Sequence, residues 1–147
     1  MTAGAVTDRD VVLGFLADMA GRRISGALEA LATDVVYTNV GLPTLRGRRQ
    51  AARVLNLLQR PVFGFGVEVR SVAADGAGTV LTERVDELRF GPVRARFWVC
   101  GRFDVSDGRI ILWRDYFDNI DVLKGVVRGI VALVVPAVQR PLVPFER

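Results

Sequence analysis

The sequence predicts an α+β fold: a strongly curved, mixed or antiparallel sheet with helices packed on one face, closing into a cone with an internal pocket. Three observations lead there. Helical spacing of apolar residues fills most of the chain before Pro61 and returns after Asp118. Four segments of period-two alternation crowd between Phe65 and Asp118. Only the short turn signals DGAG, GP and SDG separate them, and such connections make antiparallel hairpins.

Each element has its own signal. Thr7 reads as an N-cap, with Asp8 and Asp10 in the first turn and Val11, Val12, Phe15, Leu16 and Met19 on one helical face up to Gly21. ISGALEALA reads as a short second helix with Leu28 and Leu31 inward. DVVYTNV switches to period two, placing Val35, Tyr37 and Asn39 on one face. GLPTLRG reads as a loop, and RRQAARVLNLLQR as a third helix ended by Pro61. The strands follow: FGVEVRSVAA, TVLTERVDELRF, VRARFWVCGRFDV and RIILWRDYFD. Val122, Leu123, Val126, Val127 and Ile130 then return to helical spacing.

With 147 residues the chain reads as a single domain, 1–147, ending in an apolar helical tail at about 119–147. A domain of this size buries roughly 70% of its unfolded-state surface without metal or disulfide support. Cys100 is the only cysteine, which excludes an internal disulfide and fits a reducing cytoplasm. There is no histidine, so Ser-His-Asp and Cys-His catalysis and His-ligated metals are excluded. No metal and no organic cofactor is expected. Proton transfer would fall to carboxylates, tyrosine, arginine or the single Lys124. The net charge is +4, almost all from arginine. The arginines are scattered and carry no nucleic-acid motif, so no nucleic-acid partner is expected. The most apolar run, Gly129 to Val138, falls well short of the roughly 20 residues a spanning helix needs, so no stable membrane insertion is expected.

The informative residues are polar ones at inward positions. Arg84 and Asp86 are two apart, in register with Val80, Leu88 and Phe90. Asp115 is in register with Ile111, Trp113 and Phe117, and Tyr37 and Asn39 point into the same space. A buried, unpaired carboxylate is costly or takes up a proton. Two carboxylates around one arginine can divide into an ionised base and a protonated acid. The plainer reading is a structural salt bridge between Arg84 and Asp86, with Asp115 paired to Arg114 or a backbone donor. Five polar residues from three strands, all inward, outweigh that reading as a functional site. Trp113, Phe117, Leu88 and Trp98 read as the apolar substrate wall.

VVYTNVGLP, LTERVDEL and WRDYFD together resemble the limonene-1,2-epoxide hydrolase family, over about Val11 to Asp118. The resemblance implies a cone related in shape to nuclear transport factor 2 and ketosteroid isomerase. It also implies one-step hydrolysis of an apolar epoxide, of terpene, lipid or sterol type, to a vicinal diol. On that analogy Asp115 is the base, Tyr37 and Asn39 help it hold the water, Asp86 is the acid and Arg84 bridges the two aspartates. The partners would be a small apolar epoxide and water. A ketosteroid-isomerase-like enzyme and a non-catalytic lipid-binding module of the same fold are the competing readings.

The tail, with Val122, Val126, Ile130 and Leu133 at helical spacing, presents an apolar stripe too wide for water. Only Lys124 and Arg128 are basic there, which disfavours a membrane surface. A homodimer is expected, with the tail against the sheet rim, narrowing or lining the pocket entrance.

Overall fold

A computed structural model describes residues 4–143; residues 144–147 of the expected tail lie outside the described residues. The elements are α1 (Asp8–Ala20), α2 (Ile24–Glu29), β1 (Leu31–Asn39), β2 (Leu45–Arg46), α3 (Arg48–Leu55), a 3-10 turn (Asn56–Gln59), β3 (Phe63–Ala74), β4 (Thr79–Phe90), β5 (Val93–Ser106), β6 (Arg109–Tyr116), α4 (Asn119–Val131) and a second 3-10 turn (Pro136–Val138). The six strands form one mixed sheet in the order β2-β1-β6-β5-β4-β3. All neighbours are antiparallel except β1 and β6, which run parallel.

Thr7 caps α1 as its sequence predicts. Its hydroxyl accepts from the Asp10 amide and the Asp10 carboxylate accepts from the Thr7 amide, a reciprocal pair that satisfies two orphan donors. α1 then lays Val12, Phe15, Leu16 and Met19 on the inner face of the sheet, against Val67, Val80, Phe103, Ile110 and Trp113. The second helix is shorter than predicted: it stops at Glu29, and Leu31 opens β1 instead of closing the helix. Leu45–Arg46, read as loop, forms a two-residue strand on β1, and the third helix tightens to 3-10 geometry after Leu55.

Register irregularities in three strand pairs, one of them between Leu31 and Val36 where β1 meets β6, adjust the period-two reading. The β3–β4 register shifts between Val69 and Ser71, and the β5–β6 register shifts between Asp104 and Val105. The β5–β6 shift turns Ile110 inward and leaves Ile111 40% exposed, so Ile111 drops out of the inward row that Trp113 and Asp115 share.

The tail departs from expectation in part. β6 ends at Tyr116, opposite Cys100, so residues 93–99 of β5 have no strand on that side. α4 lies along this free edge. The Asp121 carboxylate accepts from the Trp98 amide, and Gly125 and Gly129 lie so close to the Arg96 and Arg94 carbonyls that a Cβ at either would overlap them. An open strand edge is thereby covered, and a stripe of two glycines makes the close approach available. Rim packing was expected, but no α4 residue lines the pocket; of the expected stripe Val122 and Val126 are partly buried, while Ile130 and Leu133, with Leu123 and Val127 beside them, form an outward apolar face. The last described residues then cross the sheet face opposite the pocket. There the Gln139 amide donates to the Arg94 carbonyl and the Val143 amide to Glu68. α1, α2 and α3 pack on the inner face as expected, while α4 takes the free edge.

Candidate active site

Three strands bring the inward polar residues together. Parallel pairing of β1 and β6 sets Tyr37 beside Trp113 and Asn39 beside Asp115. On β4, alternation buries Val80, Thr82, Arg84 and Asp86 in succession. β5 lies between β4 and β6, and its residue nearest the crossing is Gly101, paired to Thr82 on one side and Asp115 on the other.

That glycine is what lets Arg84 cross. A Cβ on Gly101 would overlap Arg84 Nη1, and would sit 2.8 Å from Thr82 Oγ1 and 3.0 Å from Asp115 Oδ1. Its backbone is not in the left-handed region, so the requirement is space, not conformational freedom. Through the gap Arg84, 1% exposed, spans the two aspartates. It donates from Nε to Asp86 Oδ1 at 2.7 Å and from Nη2 to Asp86 Oδ2 at 3.2 Å. Nη2 also lies 2.8 Å from Asp115 Oδ1. This second link is an ion contact whose N–H is not aligned on the oxygen, so Asp115 Oδ1 has no protein hydrogen bond of its own. Nη1 donates to Thr82 Oγ1 at 3.1 Å.

Asn39 Nδ2 donates to the Tyr37 hydroxyl at 2.8 Å. The phenol oxygen is then an acceptor, and its own proton stays free to donate. The Tyr37 ring stacks on Trp113, centroids 3.8 Å apart, which fixes its direction.

The electrostatics follow from burial. Burial raises the Asp86 carboxyl to about 6; the Arg84 cation pulls it back down, and the Asp115 charge adds to the rise. Burial also raises the Tyr37 phenol to about 12, helped by the Asp115 charge, so it stays neutral. Burial alone would favour deprotonating Arg84, but the two aspartates outweigh it and hold the guanidinium above its ordinary value.

All five predicted polar residues line one cavity of about 300 Å³. Of the predicted apolar wall, Trp113, Phe117 and Leu88 line it as well. Trp98 does not. It shares the parity of Arg96 and Arg102, lies on the opposite face 51% exposed, and stacks under the Arg70 guanidinium at 5.6 Å. Phe97, one residue earlier, takes the wall position, together with Met19, Val54, Leu58 and Phe65. Gly101, Thr82 and Phe97 are the site residues sequence reasoning missed. The parity of β5 was enough to find Phe97, whereas Gly101 required the cross-strand register. Among the described residues, no group of three or more His, Cys, Asp or Glu side chains is placed to hold a metal ion.

Another buried acid stands on the other face. Glu87 is 0% exposed, held by Arg89 and Arg96 at 2.6 Å each. It lies beyond the cavity lining and reads as structural.

A model of the limonene-1,2-epoxide hydrolase catalytic domain matches residues 6–128. The chain is 55% identical over 113 residues to epoxide hydrolase EphG of Mycobacterium tuberculosis (strain ATCC 25618 / H37Rv), covering 77% of this chain and 74% of that protein. It superposes on the solved structure of an M. tuberculosis epoxide hydrolase of the same type with a TM-score of 0.85 and 47% identity, over 92% of this chain and 95% of the other. An NTF2-like protein of unknown function from Cytophaga hutchinsonii, 16% identical with a TM-score of 0.66 over 83% of this chain and 99% of its own, shares the fold alone. Two carboxylates bridged by a buried arginine thus sit in a chain matched along most of its length by that family's model and by close relatives: the protein belongs to the limonene-1,2-epoxide hydrolase family and is an epoxide hydrolase of that type.

Proposed function

We propose that the protein adds water to an apolar epoxide in one step, with Asp115 as base and Asp86 as acid. The observation that supports this most directly is the Arg84 bridge. One guanidinium touches a carboxylate from β4 and another from β6, at the polar end of an otherwise apolar cavity. One cation against two carboxylates is neutral when a single proton is held, and burial of Asp86, which raises its carboxyl to about 6, supports that residue as the proton's carrier.

Water would be held by Asp115, by the free Tyr37 proton and by the Asn39 amide. Asp115 takes a proton from the water as its oxygen attacks an epoxide carbon. The C–O bond of the ring breaks, and Asp86 passes its proton to the departing oxygen, so neither hydroxide nor alkoxide forms. Arg84 keeps its charge while the proton deficit moves from Asp115 to Asp86. The cycle closes when the proton gained by Asp115 replaces the one Asp86 gave up. The apolar wall selects substrate by buried area, and its low polarity strengthens each charge interaction at the reacting carbon. A cavity of about 300 Å³ is small for a ligand site, so a longer terpene, lipid or sterol skeleton would extend past Leu42, Val54 and Leu88, which both line the cavity and meet solvent.

The test is a single turnover in ¹⁸O-labelled water with excess unlabelled enzyme. Label in the first-turnover diol is expected. An unlabelled first diol would mean that an enzyme carboxylate had attacked, and the one-step reading would fall. Asp86→Asn and Asp115→Asn should each abolish hydrolysis with native circular dichroism.

The outward apolar stripe of α4 supports a homodimer, as a surface of this kind is seldom left in water. Leu123→Glu with Val127→Glu should convert a dimer to a monomer by light scattering; a wild-type monomer would refute the assignment. No described helix is long and apolar enough to cross a membrane.

A further inference from the structure

Between Asp34 and Glu68 the chain has no acidic residue, yet it carries Arg46, Arg48, Arg49, Arg53 and Arg60. The same stretch builds one side of the cavity, through Leu42, Val54, Leu55, Leu58 and Phe65. Two of these lining residues are open to solvent, Leu42 at 57% and Val54 at 39%; from β4, Leu88 is open at 47%. A side chain that both lines a cavity and meets water stands at its mouth. Leu57, 43% exposed, adjoins them on the turn that follows α3.

Arg53 adjoins Val54 of this rim on α3, and Arg49 stands one helical turn before Arg53 on the same helix face. With Arg46 and Arg48 they line a separate depression at the start of α3, where Arg48 donates to the Leu31 carbonyl. Among the described residues, no ion pair involves Arg46, Arg49, Arg53 or Arg60. Glu68, the acid that ends the stretch, is engaged by Arg70 and the Val143 amide. Gly47 gives α3 no side-chain cap, so the partial positive charge of its first turn adds to the same field.

An apolar rim alone would suit any apolar partner, and the arginines select an anionic one. A protein seated on the rim would close the cavity, since the apolar residues border an opening. A fluid surface would not. We infer that the cavity mouth docks on an anionic phospholipid bilayer, with Leu42, Val54 and Leu88 at the acyl boundary and Arg49 and Arg53 at the phosphates. An apolar epoxide would then pass from bilayer to cavity without crossing water. The inference rests on the apolar substrate proposed above, and it concerns surface docking, not insertion.

The test uses epoxide-free vesicles of phosphatidylcholine, with and without phosphatidylglycerol, and reads binding by co-sedimentation. Binding is expected only with phosphatidylglycerol, and should weaken as salt rises. An arginine near an anionic surface contributes about fivefold in affinity, so Arg49→Gln with Arg53→Gln should bind roughly 30-fold more weakly. That double variant should turn over a short, water-soluble epoxide at the wild-type rate. Leu42→Asp should also bind more weakly. No binding to anionic vesicles, equal binding to neutral ones, or an unchanged double variant would each overturn the inference. Vesicle binding is read without catalysis, so its failure leaves the hydrolytic reading standing, and an inactive hydrolase would leave the binding result intact.

Discussion

Gly101→Ala is the sharpest perturbation the geometry offers. The added methyl overlaps Arg84 Nη1 and crowds Thr82 Oγ1 at 2.8 Å and Asp115 Oδ1 at 3.0 Å. β5 is the middle strand of three at this point, held on both sides by register pairs, so its backbone has little room to retreat. The guanidinium must give way instead, by about 1 Å, and a misplacement of that size costs on the order of a hundredfold in rate. It also loosens the 2.8 Å contact to Asp115, which is buried and has no protein hydrogen bond on that oxygen. Overpacking costs about 1–3 kcal/mol and weakening a buried ion pair adds to it, so stability should fall by about 3–5 kcal/mol. A fold of this size survives that loss, and activity and unfolding can be read on the same sample.

The assay is a double-mutant cycle with Arg84→Gln, following urea unfolding and epoxide turnover. If the methyl acts through Arg84, adding it where the long guanidinium is already gone should cost far less than in the wild type. The coupling should then exceed about 1 kcal/mol. Gly101→Ala with native turnover, or with the same cost in both backgrounds, would refute the argument that this glycine exists to let Arg84 cross β5.

Other expectations follow from the same geometry. The acid must carry its proton, so kcat/KM should fall with rising pH above about 6, where Asp86 loses it, and a flat profile from pH 5 to 8 would contradict Asp86 as the acid. Because the folded-state value of Asp86 lies above its ordinary 3.8, its contribution to stability is full at low pH and is lost as pH rises through about 6; Asp86→Asn should remove that slope from urea unfolding measured across pH 4 to 7. Tyr37→Phe keeps the stack on Trp113 and loses one donor to water, so kcat should drop about tenfold to a hundredfold with substrate binding nearly unchanged; a change in KM alone would make Tyr37 a substrate contact. Glu87→Gln should cost about 3 kcal/mol in stability through the Arg89 and Arg96 pairs, while turnover stays within twofold; a larger loss of activity would tie the opposite face to catalysis.

Much of this was legible in the sequence, for physical reasons that differ by element. The Thr7 cap, the α1 stripe and the β4 alternation are local: each depends on spacing within one turn or one strand, and each appears in the structure at the residues that signal it. The inward polar set was legible because a charged residue at an apolar register position is conspicuous in one dimension. The bulge at Ile111 was not, because it arises from how β5 and β6 pair and from nothing in RIILW itself. Trp98 shows a different failure. Its size suggested a wall, but parity, a stronger constraint than residue type, placed it with the arginines on the far face.

The tail carries this furthest. Its apolar spacing pointed to the wide stripe as the packing face, because burying Leu, Val and Ile is the larger gain for a helix that meets a flat surface. α4 meets an edge, where carbonyls protrude and no side chain can stand between helix and strand. The contact therefore goes to the two residues with least bulk, Gly125 and Gly129, four apart on one face, and Leu123, Val127 and Ile130 are left pointing away. The choice depends on β6 stopping at Tyr116 while β5 runs on, a mismatch in strand lengths that no single segment reveals. Gly101 follows the same rule inside the sheet. At both places the decisive residue is the one without a side chain, and its role is visible only from what it lets its neighbours reach.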